Sequence, residues 1–132
     1  MTQRTKFKII VYVLLLAIAA VLLAWFSMAM SAKARDYQRL SDLKIIQAKF
    51  TAYYFKHNTY RIDACNENSM VNSCSNDQID LSKHLDPSGS GIYKYVIYSL
   101  SDTDYQIGFA LETKMGGLML GGHIYSKEGV IK

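Results

Sequence analysis

Proline is almost missing from this chain: Pro87 is the only one among 132 residues. Nothing therefore interrupts a helix between Lys8 and Lys56, because an internal proline removes a helix hydrogen bond and clashes with the turn before it. Charge is missing from a second stretch, residues 9–30, a run of 22 residues without an acidic or basic side chain. At ~1.5 Å per residue such a run crosses a ~30 Å hydrocarbon core. A greasy helix leading straight into a polar one points to tethering or assembly before it points to chemistry. Catalytic patterns are missing too. His57, His84 and His123 are scattered without metal-ligand spacing and read as surface imidazoles. Asp77, Asp80 and Asp86 sit in an oxygen-rich loop without EF-hand spacing, and read as solvated loop acids. No Ser/His/Asp or Cys/His arrangement is legible and no Walker-type loop comes after a strand. Gly116-Gly117 and Gly121-Gly122 read as turn and bulge glycines. Neither an enzyme nor a cofactor or metal site is expected.

Cysteine is scarce as well. Cys65 and Cys74 bracket a polar, Asn/Ser-rich stretch, and a disulfide between them would close a flexible loop. Loop entropy makes such a bond worth roughly 2–3 kcal/mol. The pairing implies an extracytoplasmic head, whereas two free thiols would imply a reducing compartment. The net charge of +4 does not lead to nucleic acid. Arg4, Lys6 and Lys8 precede the apolar run, and the rest of the chain is close to neutral. The cluster reads as a cytoplasmic flank that retains the N-terminus. Lys33, Arg35, Arg39 and Lys44 make the other flank basic too, but a short tail is the easier end to keep inside. Ala32-Lys33-Ala34 has the look of a signal-peptidase site, yet the apolar run is longer than a cleaved signal's. An uncleaved single-pass anchor is the expectation.

The chain divides into five segments: a basic tail (1–8), a transmembrane helix (9–30), an amphipathic helix (31–57), an irregular loop (58–91) and an antiparallel sheet (92–132). Within the membrane run, Ala17, Ala20, Ala24, Ser27 and Ser31 recur at alternating spacings of three and four, and Ala34 continues the series. Small residues on one stripe let helix backbones approach closely, so the stripe is a candidate helix–helix packing surface. Beyond the membrane, Leu40, Leu43, Ile46, Phe50 and Tyr53 form an apolar face, with Arg35, Arg39, Asp42, Lys49 and Lys56 on a solvated opposite side. Asn58 can end that helix. Residues 86–91 read as a turn-rich hinge. Residues 92–100 read as a strand, and Tyr105, Ile107, Phe109 and Leu111 alternate with Gln106, Gly108, Ala110 and Glu112 as a half-buried one. Ser101-Asp102-Thr103-Asp104 makes the turn between them, and a third strand is expected near 118–125. The fold class is α+β: a long N-terminal helix packed on a small antiparallel sheet of about three strands, burying Leu40, Leu43, Phe50, Tyr105, Ile107 and Phe109 together.

The stretch Ala34-Arg35-Asp36-Tyr37-Gln38-Arg39-Leu40-Ser41-Asp42-Leu43-Lys44-Ile45-Ile46-Gln47 resembles the post-membrane helix of bacterial type IV pilin-like proteins, particularly the small pseudopilins of type II secretion. Tyr53-Tyr54 with Asn58-Thr59-Tyr60, then Asp86-Pro87, Tyr93, Tyr95 and Leu111-Glu112, are similar to later landmarks in the same order. The resemblance covers about 34–112. It implies a structural subunit of a pilus or secretion filament, self-associating through N-terminal helices, with membrane lipid, other pilin-like subunits and an assembly platform as partners. It also implies inner-membrane localisation. The N-terminus departs from that pattern. Pilins are cut after a glycine preceding a Phe-Thr-Leu-Ile-Glu type sequence, whereas Lys6 precedes Phe7 here and Val11 stands where the glutamate falls. Retention of Arg4, Lys6 and Lys8 in the mature chain is therefore expected. The alternative reading is a monomeric membrane-tethered binding module built on the same fold, using the loop between Thr59 and Gly91.

Overall fold

The computed structural model describes residues 3–89 and 91–131. Met1 and Thr2 of the basic tail, Ser90 of the turn-rich hinge and Lys132 lie outside the described residues. Contacts divide the chain into two compact units, Met1–Ala32 and Lys33–Lys132. The helix α1 (Gln3–His57) contributes to both. In the first unit it is the only described element. It is long and apolar enough to cross a membrane.

In the second unit, α1 presents Leu43, Ile46, Phe50 and Tyr53 to the interior, at spacings that place them on one face. Leu40 is half-buried at the edge of the same core. The helix stops after His57. Asn58 takes φ 55°, and its N–H closes on the carbonyl of Tyr54 at 2.7 Å. Asparagine tolerates that left-handed geometry better than most residues, which suits it to a helix exit.

The sheet has four strands: β1 (Val96–Leu100), β2 (Tyr105–Leu111), β3 (Gly121–Ser126) and β4 (Gly129–Ile131), antiparallel neighbours in chain order. Long helix and antiparallel sheet are as the sequence leads one to expect, with one strand more. The extra strand, β4, is too short to show an alternation; it pairs Val130 with Tyr125 through a turn in which Gly129 has φ 106°. β1 starts at Val96 rather than at residue 92, where Ile92 is exposed. β3 likewise starts late. A tight turn comes first, with Met115 and Leu118 exchanging backbone hydrogen bonds across Gly116 and Gly117. Both glycines have positive φ, the geometry that two-residue hairpin loops require.

Two sequence expectations need correction. β2 is not half-buried: Gly108 and Ala110 are buried along with Tyr105, Ile107, Phe109 and Leu111. The ring of Tyr98 fills the place that a side chain on Gly108 would take. Alternation of small and large residues therefore marks a strand covered on both faces rather than one facing water. The second correction concerns the loop between α1 and β1, which is irregular yet belongs to the core. Ile62, Cys65, Val71, Cys74, Ile79 and Leu81 all bury in it. Its backbone pairs with β1 and the residue before it: the Val71 N–H donates to Tyr95 and the Ile97 N–H to Ser69, each at 2.9 Å. The Cys65–Cys74 disulfide is formed, with Cα atoms 4.6 Å apart.

Candidate functional site

Among the described residues, no side chain of the apolar run of α1 is buried. Every described residue from 6 to 31 is exposed, including Leu15, Leu22, Trp25 and Phe26. Ala17, Ala20, Ala24, Ser27 and Ser31 are exposed as well. The two serines are already satisfied: the Ser27 hydroxyl donates to the Ala24 carbonyl at 2.8 Å and Ser31 to Ser27 at 2.9 Å. With both serine hydroxyls bonded locally, this surface offers apolar area and small side chains, suited to lipid or to another helix.

The second unit does the opposite and buries charge. Arg39 is fully inaccessible. Its guanidinium forks onto Asp86, with Nε 2.6 Å from Oδ2 and Nη2 2.9 Å from Oδ1. Nη1 donates to Asp36 at 2.7 Å, and Nη2 lies 2.7 Å from Oε1 of Glu112. The Tyr93 ring covers the cation, its centroid 4.5 Å from Cζ. Arg35 adds a second fork onto Glu112, Nε to Oε1 at 2.8 Å with Nη2 on Oε2. Asp36 also accepts from the Glu112 N–H at 3.0 Å and from the N–H and hydroxyl of Thr113 at 2.8 and 2.7 Å. Ser88 donates to Asp86 through its N–H at 2.8 Å and its hydroxyl at 2.5 Å. Two guanidiniums and three carboxylates thus join α1, the 86–89 turn and the end of β2.

The electrostatics reflect those partners. The Arg35 hydrogen bond, working against burial and helped by Arg39, holds the Glu112 carboxyl at about 2. Burial pushes Asp36 and Asp86 upward, but the donors around each outweigh it and both end below the usual carboxylate range. Burial works against the Arg39 cation, yet its three carboxylate partners raise its pKa above the ordinary guanidinium value. Charges so paired stay ionised and fix geometry; they are not poised for proton transfer near neutral pH.

Two expectations about charged residues are overturned by this cluster. Arg39, expected on the solvated side of the amphipathic helix, and Asp86, expected among solvated loop acids, are both buried. The spacing carries the right answer for Arg39. Positions 36, 39, 43, 46, 50 and 53 step by threes and fours, so Asp36 and Arg39 share the apolar face. Polarity alone puts Arg39 opposite. Asp86 gives no local sign, because a loop acid reveals a partner 47 residues away only through the fold. The stretches that carry the pilin resemblance supply this cluster: Arg35, Asp36, Arg39, Asp86, Tyr93 and Glu112.

Beside the cluster lies a cleft of about 460 Å³, lined among others by Met70, His84, Leu85, Asp86, Tyr93 and Lys94. Tyr95, also in its wall, donates its hydroxyl to Asp42 at 3.2 Å. Burial first, and then Lys49, lower the His84 pKa against the pull of Asp42 and Asp80. The other histidines stand apart: His57 stacks on Tyr53 at 4.2 Å, and Nε2 of His123 lies 2.6 Å from the Met119 carbonyl. No three His, Cys, Asp or Glu side chains are grouped to hold a metal ion among the described residues. Comparison of the chain with protein families, curated proteins and solved structures found no match. A long, partly apolar N-terminal helix packed on a small antiparallel sheet is consistent with the general pilin-type architecture.

Proposed function

We propose that this chain is a membrane-anchored, pilin-like structural subunit of a pilus or secretion-type filament, or of its assembly complex, and that it self-associates through the small-residue stripe of its N-terminal helix. The observation that carries the reading is the apolar run of α1, exposed over all of residues 9–30. Such a surface is stable only in lipid or against other helices. A structural rather than catalytic role agrees with a head whose buried charges are paired with one another. The head is extracytoplasmic in this reading, supported by the Cys65–Cys74 disulfide, and the Arg4, Lys6 and Lys8 flank holds the tail inside.

The chain differs from an ordinary pilin at its processing site. Lysine at position 6 puts bulk and charge where the peptidase meets glycine, and Val11 supplies no carboxylate for a free amine inside an apolar bundle, where an unpaired charge costs several kcal/mol. The mature chain keeps its basic tail. Intact mass from native membranes is then that of a chain including Arg4; a chain starting at Phe7 would instead mark a conventionally processed filament subunit.

Single cysteines at Ala17, Ala20 or Ala24 test self-association. Dimers on oxidation in native membranes are expected. Their absence at all three positions favours the second reading, a monomeric membrane-tethered binding module, for which the cleft beside Asp86 and Tyr93 provides a place to bind.

A further inference from the structure

We propose that the turn following β2 is a second membrane contact, in which Met119 and Leu120 seat in the headgroup layer with Lys33 and Lys114 on anionic lipid phosphates. The inference rests on the membrane-anchor reading above. β2 runs along α1 toward residue 33: Tyr105 at its start stacks on Phe50 at 4.6 Å, while the Glu112 N–H just past its end bonds Asp36 at 3.0 Å. In the hairpin register Leu111 faces Gly121, so Met119 and Leu120 lie at the level of Arg35 and Asp36 or past it. Asp36 lies six positions after Met30, the last of the uncharged run, so at ~3.5 Å each the chain holds Asp36 within ~20 Å of the bilayer core. The tether therefore leaves these side chains within reach of the interface.

What the turn exposes suits that position. Met119 and Leu120 are 61% and 68% exposed, although their neighbours Met115 and Leu118 are buried. The acids at this end, Asp36 and Glu112, are engaged by Arg39, Arg35 and backbone N–H groups. Lys33, three positions before Asp36, and Lys114, two positions after Glu112, are exposed and supply positive charge at the same end as the apolar tip. Apolar side chains flanked by lysine are the chemistry of interfacial attachment to anionic bilayers. In a second copy of the chain the acids at this level are engaged in the same way and do not meet those lysines, so lipid is the better occupant.

The test uses the full-length chain reconstituted into phosphatidylethanolamine–phosphatidylglycerol vesicles, with and without brominated acyl chains. Trp25, the single tryptophan, reports the anchor: bromolipid quenches it if the run is in the bilayer. Leu120→Trp in a Trp25→Phe background reports the turn, at a position open enough to accept the ring. The expected result is bromolipid quenching of the residue-120 probe and loss of its acrylamide quenching relative to the urea-unfolded chain. Quenching of Trp25 with a residue-120 probe that acrylamide still reaches and bromine does not overturns this proposal and leaves the anchor standing. Failure to quench Trp25 overturns both. Protection at 120 that fades as lipid dilutes the protein, without bromine quenching, assigns the turn to a second copy and overturns the lipid contact.

Discussion

The two units of this chain solve opposite problems with one helix type. Over residues 9–31 the side chains are mostly apolar and all exposed, and the hydroxyls of Ser27 and Ser31 are bonded to the helix's own backbone. Over residues 33–131 even a guanidinium is inaccessible, and it is enclosed by carboxylates and a tyrosine ring. In the proposed reading the first unit finds its partner in lipid or other helices; the buried charges of the second are paired with one another. On that reading stability and membrane attachment are separated along the sequence, and substitutions should affect one or the other.

The largest effect belongs to Arg39→Ala. It leaves Asp36 and Asp86 buried around a vacated cation, a situation that costs about 3–5 kcal/mol. Chemical denaturation monitored by near-UV circular dichroism should show the loss, while alkaline extraction still leaves the chain in the membrane. Release from the membrane would break the separation. Replacing Cys65 and Cys74 together by serine comes next, at roughly 2–3 kcal/mol from loop entropy. The same denaturation curve reads it, and reductant should destabilise the native protein equally.

Acid provides a graded version of the first experiment. Glu112 lies at about 2 in the fold against 4.5 for a free glutamate. The unfolded chain therefore takes up this proton first as pH falls, and the stability the carboxylate contributes is fully present above about 4.5 and is lost on the way down to about 2. Asp36 and Asp86 shift in the same direction and deepen the loss. Glu112→Gln should flatten this part of the stability–pH profile. The smallest effect is Gly108→Ala. The new methyl meets the outer end of the Tyr98 ring, which is half in solvent and can swing away, so the cost should stay near 1 kcal/mol.

The fold is legible in the sequence where periodicity is long. Nearly fifty residues without proline announce the helix, and the alternating aromatics of residues 105–111 announce β2. β4 is not legible, because three residues between two turns carry no pattern. The irregular loop looks flexible because its composition is polar, although Ile62, Val71, Ile79 and Leu81 are there to be buried. The charge cluster is half legible. Asp36 and Arg39 sit on the apolar face by spacing alone, whereas Asp86 and Glu112 reach them only through tertiary contacts 47 to 76 residues long. Polar type is a poor guide to exposure when partners of opposite charge arrive from elsewhere in the fold.

An apolar helix completed by copies of itself hides its small-residue stripe from lipid. A nitroxide scan of positions 15–27 in native-like bilayers measures this directly through collision with lipid-soluble oxygen. Labels at Ala17, Ala20 and Ala24 should be shielded from oxygen, while labels at Leu15, Leu22 and Phe26, on the other side of the helix, collide with it freely. Equal oxygen access all round the helix would contradict self-association and leave a lone anchor in lipid.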